Sequence, residues 1–188
     1  IAMTIAIALL SINVEAKKKK AEPKQETTNP FGKFFQIPNS EVDTEEYFGA
    51  TGIAYGPLNQ LGEVQKNALA NGQDQIRMKM KHSYKGMISN YSKANSNKLG
   101  TDIQSKLEGA GDHIINAIIN DTRDSKEPIY TPDDKGNVTV FRALRVYKKE
   151  FADRVSKYIS EDEELKLQFD EKQFRERMDE AFKNYKEQ

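Results

Sequence analysis

From residue 58 to about residue 91 the apolar positions Leu61, Val64, Ala68, Ile76, Met80, Met87 and Tyr91 recur mostly at steps of three or four, with Gly72 and Ser83 completing the stripe. That period predicts one long amphipathic helix. Pro57 stands where a helix can begin without losing a hydrogen bond, and Gly72 is small enough to admit another backbone. After the polar stretch SKANSNKLG, the residues Ile103, Leu107, Ala110, Ile114 and Ile118 stripe a second helix over 101–120, widened by Ile115 and Ile119.

Elsewhere the period falls to two. EEYFGATGIAYG, residues 45–56, sets Tyr47, Thr51, Ile53 and Tyr55 on one alternating face and predicts a strand. Its Gly49 and Gly52 have a G-x-x-G spacing, but no Lys-Ser or Lys-Thr follows, so close packing against a helix explains them better than a phosphate loop. PIYTPDDKGNVTVFRALRVYK, residues 128–148, has the form of a hairpin turning at DDKGN. In its second strand Val138, Val140, Leu144 and Val146 share a face broken by Arg142, while Phe141 and Ala143 lie on the other, so both faces are covered in part. Phe151, Val155, Tyr158 and Ile159 place a helix next, and Ser160 to Glu163 reads as a capping box. Behind an Asp170 cap, Phe174, Met178, Ala181, Phe182 and Tyr185 stripe a terminal helix. Together these elements predict an α+β fold: two long helices packed on a small, mainly antiparallel sheet, with charged C-terminal helices.

The N-terminal region follows neither period. IAMTIAIALLSINVEA is an apolar run ending in a small residue, with Val14 two positions before Ala16, which reads as a signal peptide over 1–16 cleaved to leave Lys17. A membrane span needs about 20 apolar residues, and Asn13 and Glu15 end this run sooner. Residues 17–30 are charged and aperiodic, a disordered basic leader. FGKFFQIP then brings Phe31, Phe34, Phe35 and Ile37, which we expect to tuck onto the domain because exposed aromatic rings waste their burial area. The expected organisation is thus signal peptide, leader, an α+β domain over 31–160 and a C-terminal helical extension over 161–188.

Charge narrows the partners. The chain has 29 basic and 29 acidic residues, a balance that argues against a nucleic-acid partner, which demands a basic patch. With no cysteine, disulfides, thiolate chemistry and an acylated lipobox cysteine are all excluded. His82 and His113 are far apart and lack ligand-like neighbours, so no metal is expected. DDKGN lacks both the D-x-[DN]-x-[DN]-G spacing and the closing glutamate of a calcium loop and reads as a turn. Adjacent carboxylates, Glu45 with Glu46 and Glu163 with Glu164, carry no acid–base information, and no nucleophile elbow, zinc-protease, Walker or dinucleotide motif is present. No catalytic residue and no cofactor is therefore assigned.

The order of elements matters at this point: a strand ending GIAYG, a helix reading EVQKNALANGQDQIRMKM, a second helix, then NVTVFRALRVYKKEF leading into another helix. It resembles the twenty-kilodalton membrane-associated lipoprotein family over about residues 45–160. FGKFFQIP, DTEEYFGATG and EDEELKLQFDEKQFRERMDEAF are similar to exported Bacteroidetes-type members that lack the acylated cysteine. The resemblance implies periplasmic or envelope placement and supplies no catalytic residues. We therefore expect a non-enzymatic exported envelope protein acting as a structural or interaction subunit, with an envelope protein or a second copy as partner. Its contacts would be Phe174, Met178, Phe182 and Tyr185, docked as an amphipathic helix in a groove; packing of that stripe on its own domain is the competing expectation. A binding module for a small ligand or glycan, and an unrecognised hydrolase, stand as the two alternatives.

Overall fold

The computed structural model describes residues 37–95 and 100–183. The signal peptide, the leader, the tucking of Phe31, Phe34 and Phe35, and Tyr185 lie outside the described residues. Within them the chain is α+β, as its periodicity predicts. The short helix α1 (Asn39–Val42) leads into strand β1 (Tyr47–Pro57), and a 3-10 turn over Leu58–Gln60 opens helix α2 (Leu61–Ala94). Helix α3 (Thr101–Asp121) precedes strands β2 (Ile129–Pro132) and β3 (Asn137–Tyr147). Helices α4 (Lys148–Glu161), α5 (Glu163–Gln168) and α6 (Glu171–Lys183) follow.

The strands form an antiparallel sheet in the order β1-β3-β2. Its register sets Phe48, Ala50, Gly52, Ala54 and Gly56 opposite Val146, Leu144, Arg142, Val140 and Val138. This is the face on which α2 lies. The fit depends on missing side chains: a Cβ at Gly52 would press on the Ala68 carbonyl and come within 2.7 Å of the Gly72 amide nitrogen. The predicted backbone approach at Gly72 is therefore made to Gly52. Gly49 points to the opposite face, where a Cβ would meet the backbone of Val42 in α1, so the two glycines of the G-x-x-G spacing serve two different helices.

Helix α3 packs mainly on α2 and α4 rather than on the sheet. Its buried stripe is Ile103, Leu107, Ala110, Gly111, Ile115, Ile118 and Ile119, and Ile114, expected in the stripe, is only half-buried. In α4 the turn is similar: Phe151, Val155 and Ile159 are buried, but Tyr158 faces outward and stacks on His113 with ring centroids 5.2 Å apart. The predicted cap at Ser160 moves two residues on. Asp162 caps α5 by accepting from the Glu164 and Leu165 amides, because α4 runs on through Glu161 and Ser160, still inside it, turns its hydroxyl back to the Lys157 carbonyl. Asp170 caps α6 as predicted, accepting from Gln173 N at 2.9 Å.

The C-terminal helices complete the core. One apolar cluster runs from Phe48 and Leu144 on the sheet through Ile76, Met80 and Tyr84 of α2 to Phe151, Phe174, Met178 and Phe182. The predicted boundary at residue 160 thus crosses a continuous core. Lys148 fastens this closure: its buried ammonium donates to the carbonyls of Thr44 (2.8 Å) and Phe182 (3.2 Å) and stands 5.0 Å from the Phe48 ring centre. Burial pushes its pKa below the ordinary lysine value. Among the described residues no helix is long and apolar enough to cross a membrane.

Candidate functional site

The second face of the sheet carries Tyr47, Gly49, Thr51, Ile53 and Tyr55 on β1, opposite Tyr147, Arg145, Ala143, Phe141 and Thr139 on β3. Its middle is covered: Ile37 and Val42 pack on Phe141 and Ala143, flanked by Ile53 and Ile129. Thr51 joins this cover by donating its hydroxyl to the Ile37 carbonyl at 2.8 Å. The cover ends there. The next row, in which Tyr55 pairs with Thr139 and Thr139 with Thr131, lies beyond Ile37. A recess of about 550 Å³ opens over it, bounded by Ile53, Tyr55, Thr131 and Thr139 and by the hairpin residues Pro132, Asp133 and Asp134.

Tyr55 is 61% exposed, yet it is not loose. Its hydroxyl donates to Oδ2 of Asp133 at 2.8 Å. Asp133 is held in turn by the hairpin bend, its Oδ1 accepting from the amides of Lys135 (2.9 Å) and Asn137 (2.8 Å) and its Oδ2 from Asn137 Nδ2 at 3.1 Å. Gly136, with φ of 80°, supplies the left-handed residue that brings those amides inward. The Asn137 amide above all, and then the Tyr55 hydroxyl, hold the Asp133 carboxyl down at about 2. The hydrogen bond to Asp133 raises the Tyr55 phenol by the same contact. The carboxylate is an anchor with its lone pairs filled, the ring is a fixed apolar plate, and Asp134 and Thr139 stand around it. No basic side chain lines the recess among the described residues.

The outer edge of β1 is closed by side chains. Asp43, Asn39 and Asn71 accept from the amides of Gly49, Thr51 and Ile53, each at 3.0 Å. Gln75 and Lys79 donate to the carbonyls of Thr51 and Gly49. Lys79 also pairs with Asp43 at 2.8 Å in a nearly buried contact. An edge so occupied is protected against pairing with another strand.

The residues expected to contact a partner take another place. Phe174, Met178 and Phe182 are buried in the chain's own core, with Phe174 edge-on to Tyr91 at 5.5 Å and Phe182 edge-on to Phe48 at 5.2 Å. Docking of these three in a partner's groove is corrected accordingly: the helix that carries them is the lid of its own domain, because its apolar stripe is the cover that α2 and α4 need. His82 and His113 are exposed, and no group of three or more candidate metal ligands gathers among the described residues. Glu45, Glu46, Glu163 and Glu164 are likewise exposed. The tyrosine furthest from its ordinary ionisation is Tyr84, pushed up by burial while its hydroxyl donates to the Leu107 carbonyl at 2.6 Å. It sits in the core, not in a cleft.

Sequence reasoning read DDKGN as a turn and Tyr55 as one of a strand's alternating residues, and so missed their union. The available signal was the Asp at the first turn position, a residue that commonly bonds the amides two and four places on; nothing local aims Tyr55 at it. Comparison with protein-family models, with curated proteins and with solved structures finds no match for this chain.

Proposed function

We propose that this chain is an exported, non-enzymatic envelope protein that works by binding, and that the recess around Tyr55 receives a sugar residue of a glycan. The observation that carries this is the fixed, 61% exposed Tyr55 ring beside a row of threonines and a free-standing Asp134. A sugar ring lays its C–H face on an aromatic plate and offers its hydroxyls to polar groups at the rim, and sites with one apolar wall and a few polar groups are the usual form of small-ligand pockets. A binding role fits better than a hydrolytic one because Asp133, the best-held carboxyl, is saturated with donors and stays ionised, so it has no proton to give near neutral pH. The binding module also moves ahead of the subunit docked through α6, whose three described aromatic and methionine contacts are spent in the core.

Titration of isotope-labelled protein with a panel of mono- and oligosaccharides tests the site. We expect amide shifts confined to the surroundings of Tyr55, Thr131, Asp134 and Thr139, lost in Tyr55→Ala with the melting temperature unchanged. Binding that survives Tyr55→Ala, or a panel without a single binder, removes the glycan reading. Export rests on the apolar run that ends at Ala16 and on the lipoprotein-family resemblance. Protein isolated from native cells should begin at Lys17 and fractionate with the periplasm or envelope; an intact apolar run recovered from cytoplasm rejects it.

A further inference from the structure

A second recess, of about 180 Å³, opens where the end of α3 meets the last residues of β3 and the first turn of α4. Three arginines line it, Arg123, Arg145 and Arg154, against two carboxylates, Asp121 and Glu150. Their pairing is uneven. Arg154 is spent on Glu150, 2.7 Å away on the same helix. Arg123 donates only to main-chain carbonyls, those of Asn120 (3.0 Å) and Thr122 (3.1 Å), through a single terminal nitrogen. Arg145 donates to the Glu41 carbonyl and lies over the Tyr47 ring at 5.5 Å, while its Nε is buried without an acceptor. A carbonyl fills a donor but does not neutralise a charge. Among the described residues, then, two guanidinium groups at this recess have no carboxylate partner, and Asp121 is the single acid left over there.

We propose that this recess binds a phosphate group, free or carried on a larger molecule, with Arg123 as its main ligand. A guanidinium presents a planar fork of donors that matches an oxyanion, and three of the five donors of Arg123, those on Nε and the second terminal nitrogen, remain for one. The space admits a single phosphate rather than a nucleotide. Two features of the surroundings add to the attraction. The α4 N-terminus at the recess has no side-chain cap, so its positive dipole end adds to the potential there beyond the Lys148 amide, which already donates to the Glu46 carbonyl, and the Arg145 guanidinium, held by a main-chain carbonyl and not by a carboxylate, adds a second positive charge. The site is independent of the Tyr55 recess, which lies at the other end of the sheet.

The test is thermal unfolding and phosphorus NMR of the full chain with inorganic phosphate, beside chloride at equal ionic strength, for the unmodified protein, Arg123→Gln and Arg154→Gln. We expect a saturable rise in melting temperature with phosphate and none with chloride. Arg123→Gln should bind phosphate about tenfold more weakly, the loss of one strong charge-assisted contact, with its phosphate-free melting temperature kept. Arg154→Gln, which frees Glu150, is a second variant that weakens binding without touching the α3 terminus. Vesicles of pure phosphatidylglycerol, beside pure phosphatidylcholine, separate the sources: Arg123-dependent sedimentation with the former assigns a lipid headgroup, and a phosphate response without sedimentation assigns a soluble ligand. Equal phosphate responses in the unmodified protein and both variants, or a response matched by chloride, overturn the proposal.

Discussion

The two faces of the sheet are built from the same strands and meet opposite fates. On one, β1 offers Phe48, Ala50, Gly52, Ala54 and Gly56, a row that shrinks to almost nothing at its centre, and a helix of 34 residues settles directly on the backbone. On the other it offers Tyr47, Gly49, Thr51, Ile53 and Tyr55, and a helix of four residues covers only the middle. The difference teaches that exposure here is set by the length of the cover and not by hydrophobicity alone. Tyr55 presents an aromatic ring as Phe141 does under Ile37, but the cover runs out one row short of it. The charged residue on the helix side makes the same point in reverse: Arg142 lies under α2 because it forks onto Asp124, with Nε to Oδ1 at 2.8 Å, and donates to the Gln65 carbonyl. Across from it stands Gly52, which leaves it room.

The hardest way to break the comparison is to hollow the covered side. Phe174→Ala should cost about 3–5 kcal/mol, the range for truncating a buried aromatic ring, read as a shift of the urea midpoint. An unchanged midpoint would mean that α6 does not belong to the core. Next is the seam itself. Gly52→Ala forces a methyl group between two backbones and should cost about 2–3 kcal/mol by overpacking. Gly86→Ala, in α2 but facing open space, should instead stabilise by about 0.5–1 kcal/mol. If the two substitutions behave alike, the close approach at Gly52 is not what holds α2 down.

On the open side the expected stability effects are small and the titration effects are sharp. Tyr55→Phe should leave stability within about 0.5 kcal/mol, as surface changes usually do, while releasing one of the donors on Asp133. The Asp133 carboxyl, followed by NMR, should titrate near 2 in the unmodified protein and closer to the ordinary aspartate value in Tyr55→Phe. Because the folded value lies below the unfolded one of 3.8, the turn's contribution to stability is present above pH 4 and is lost as pH falls through 2. A midpoint at 3.8 in both proteins would show that the plate is not fixed by the turn.

Much of the fold was legible because it depends on local period. The long stripe from Val64 to Tyr91, the hairpin at DDKGN and the split of Val138, Val140, Leu144 and Val146 from Phe141 and Ala143 are patterns of three and a half or two residues, and such patterns state which side of an element is apolar. They do not state what covers that side. The stripe of Phe174, Met178 and Phe182 has the same spacing whether it docks on a partner or on its own α2 and α4, and only the three-dimensional packing decides for the latter. The half-burial of Ile114 and the outward turn of Tyr158 come from the same source, a neighbour's position that no period encodes.

The sequence by itself determined the α+β class, the two long helices, the strands, the Asp170 cap and the lack of cysteine, since each follows from neighbours along the chain or from composition. Tertiary structure alone decided the sites. Tyr55 meets Asp133 across 78 positions of sequence, and Arg123, Arg145 and Arg154 gather from a helix end, a strand and a second helix. Contacts of that kind depend on strand register and on where each covering helix stops, which are collective properties of the packed chain and leave no local mark in the order of its residues.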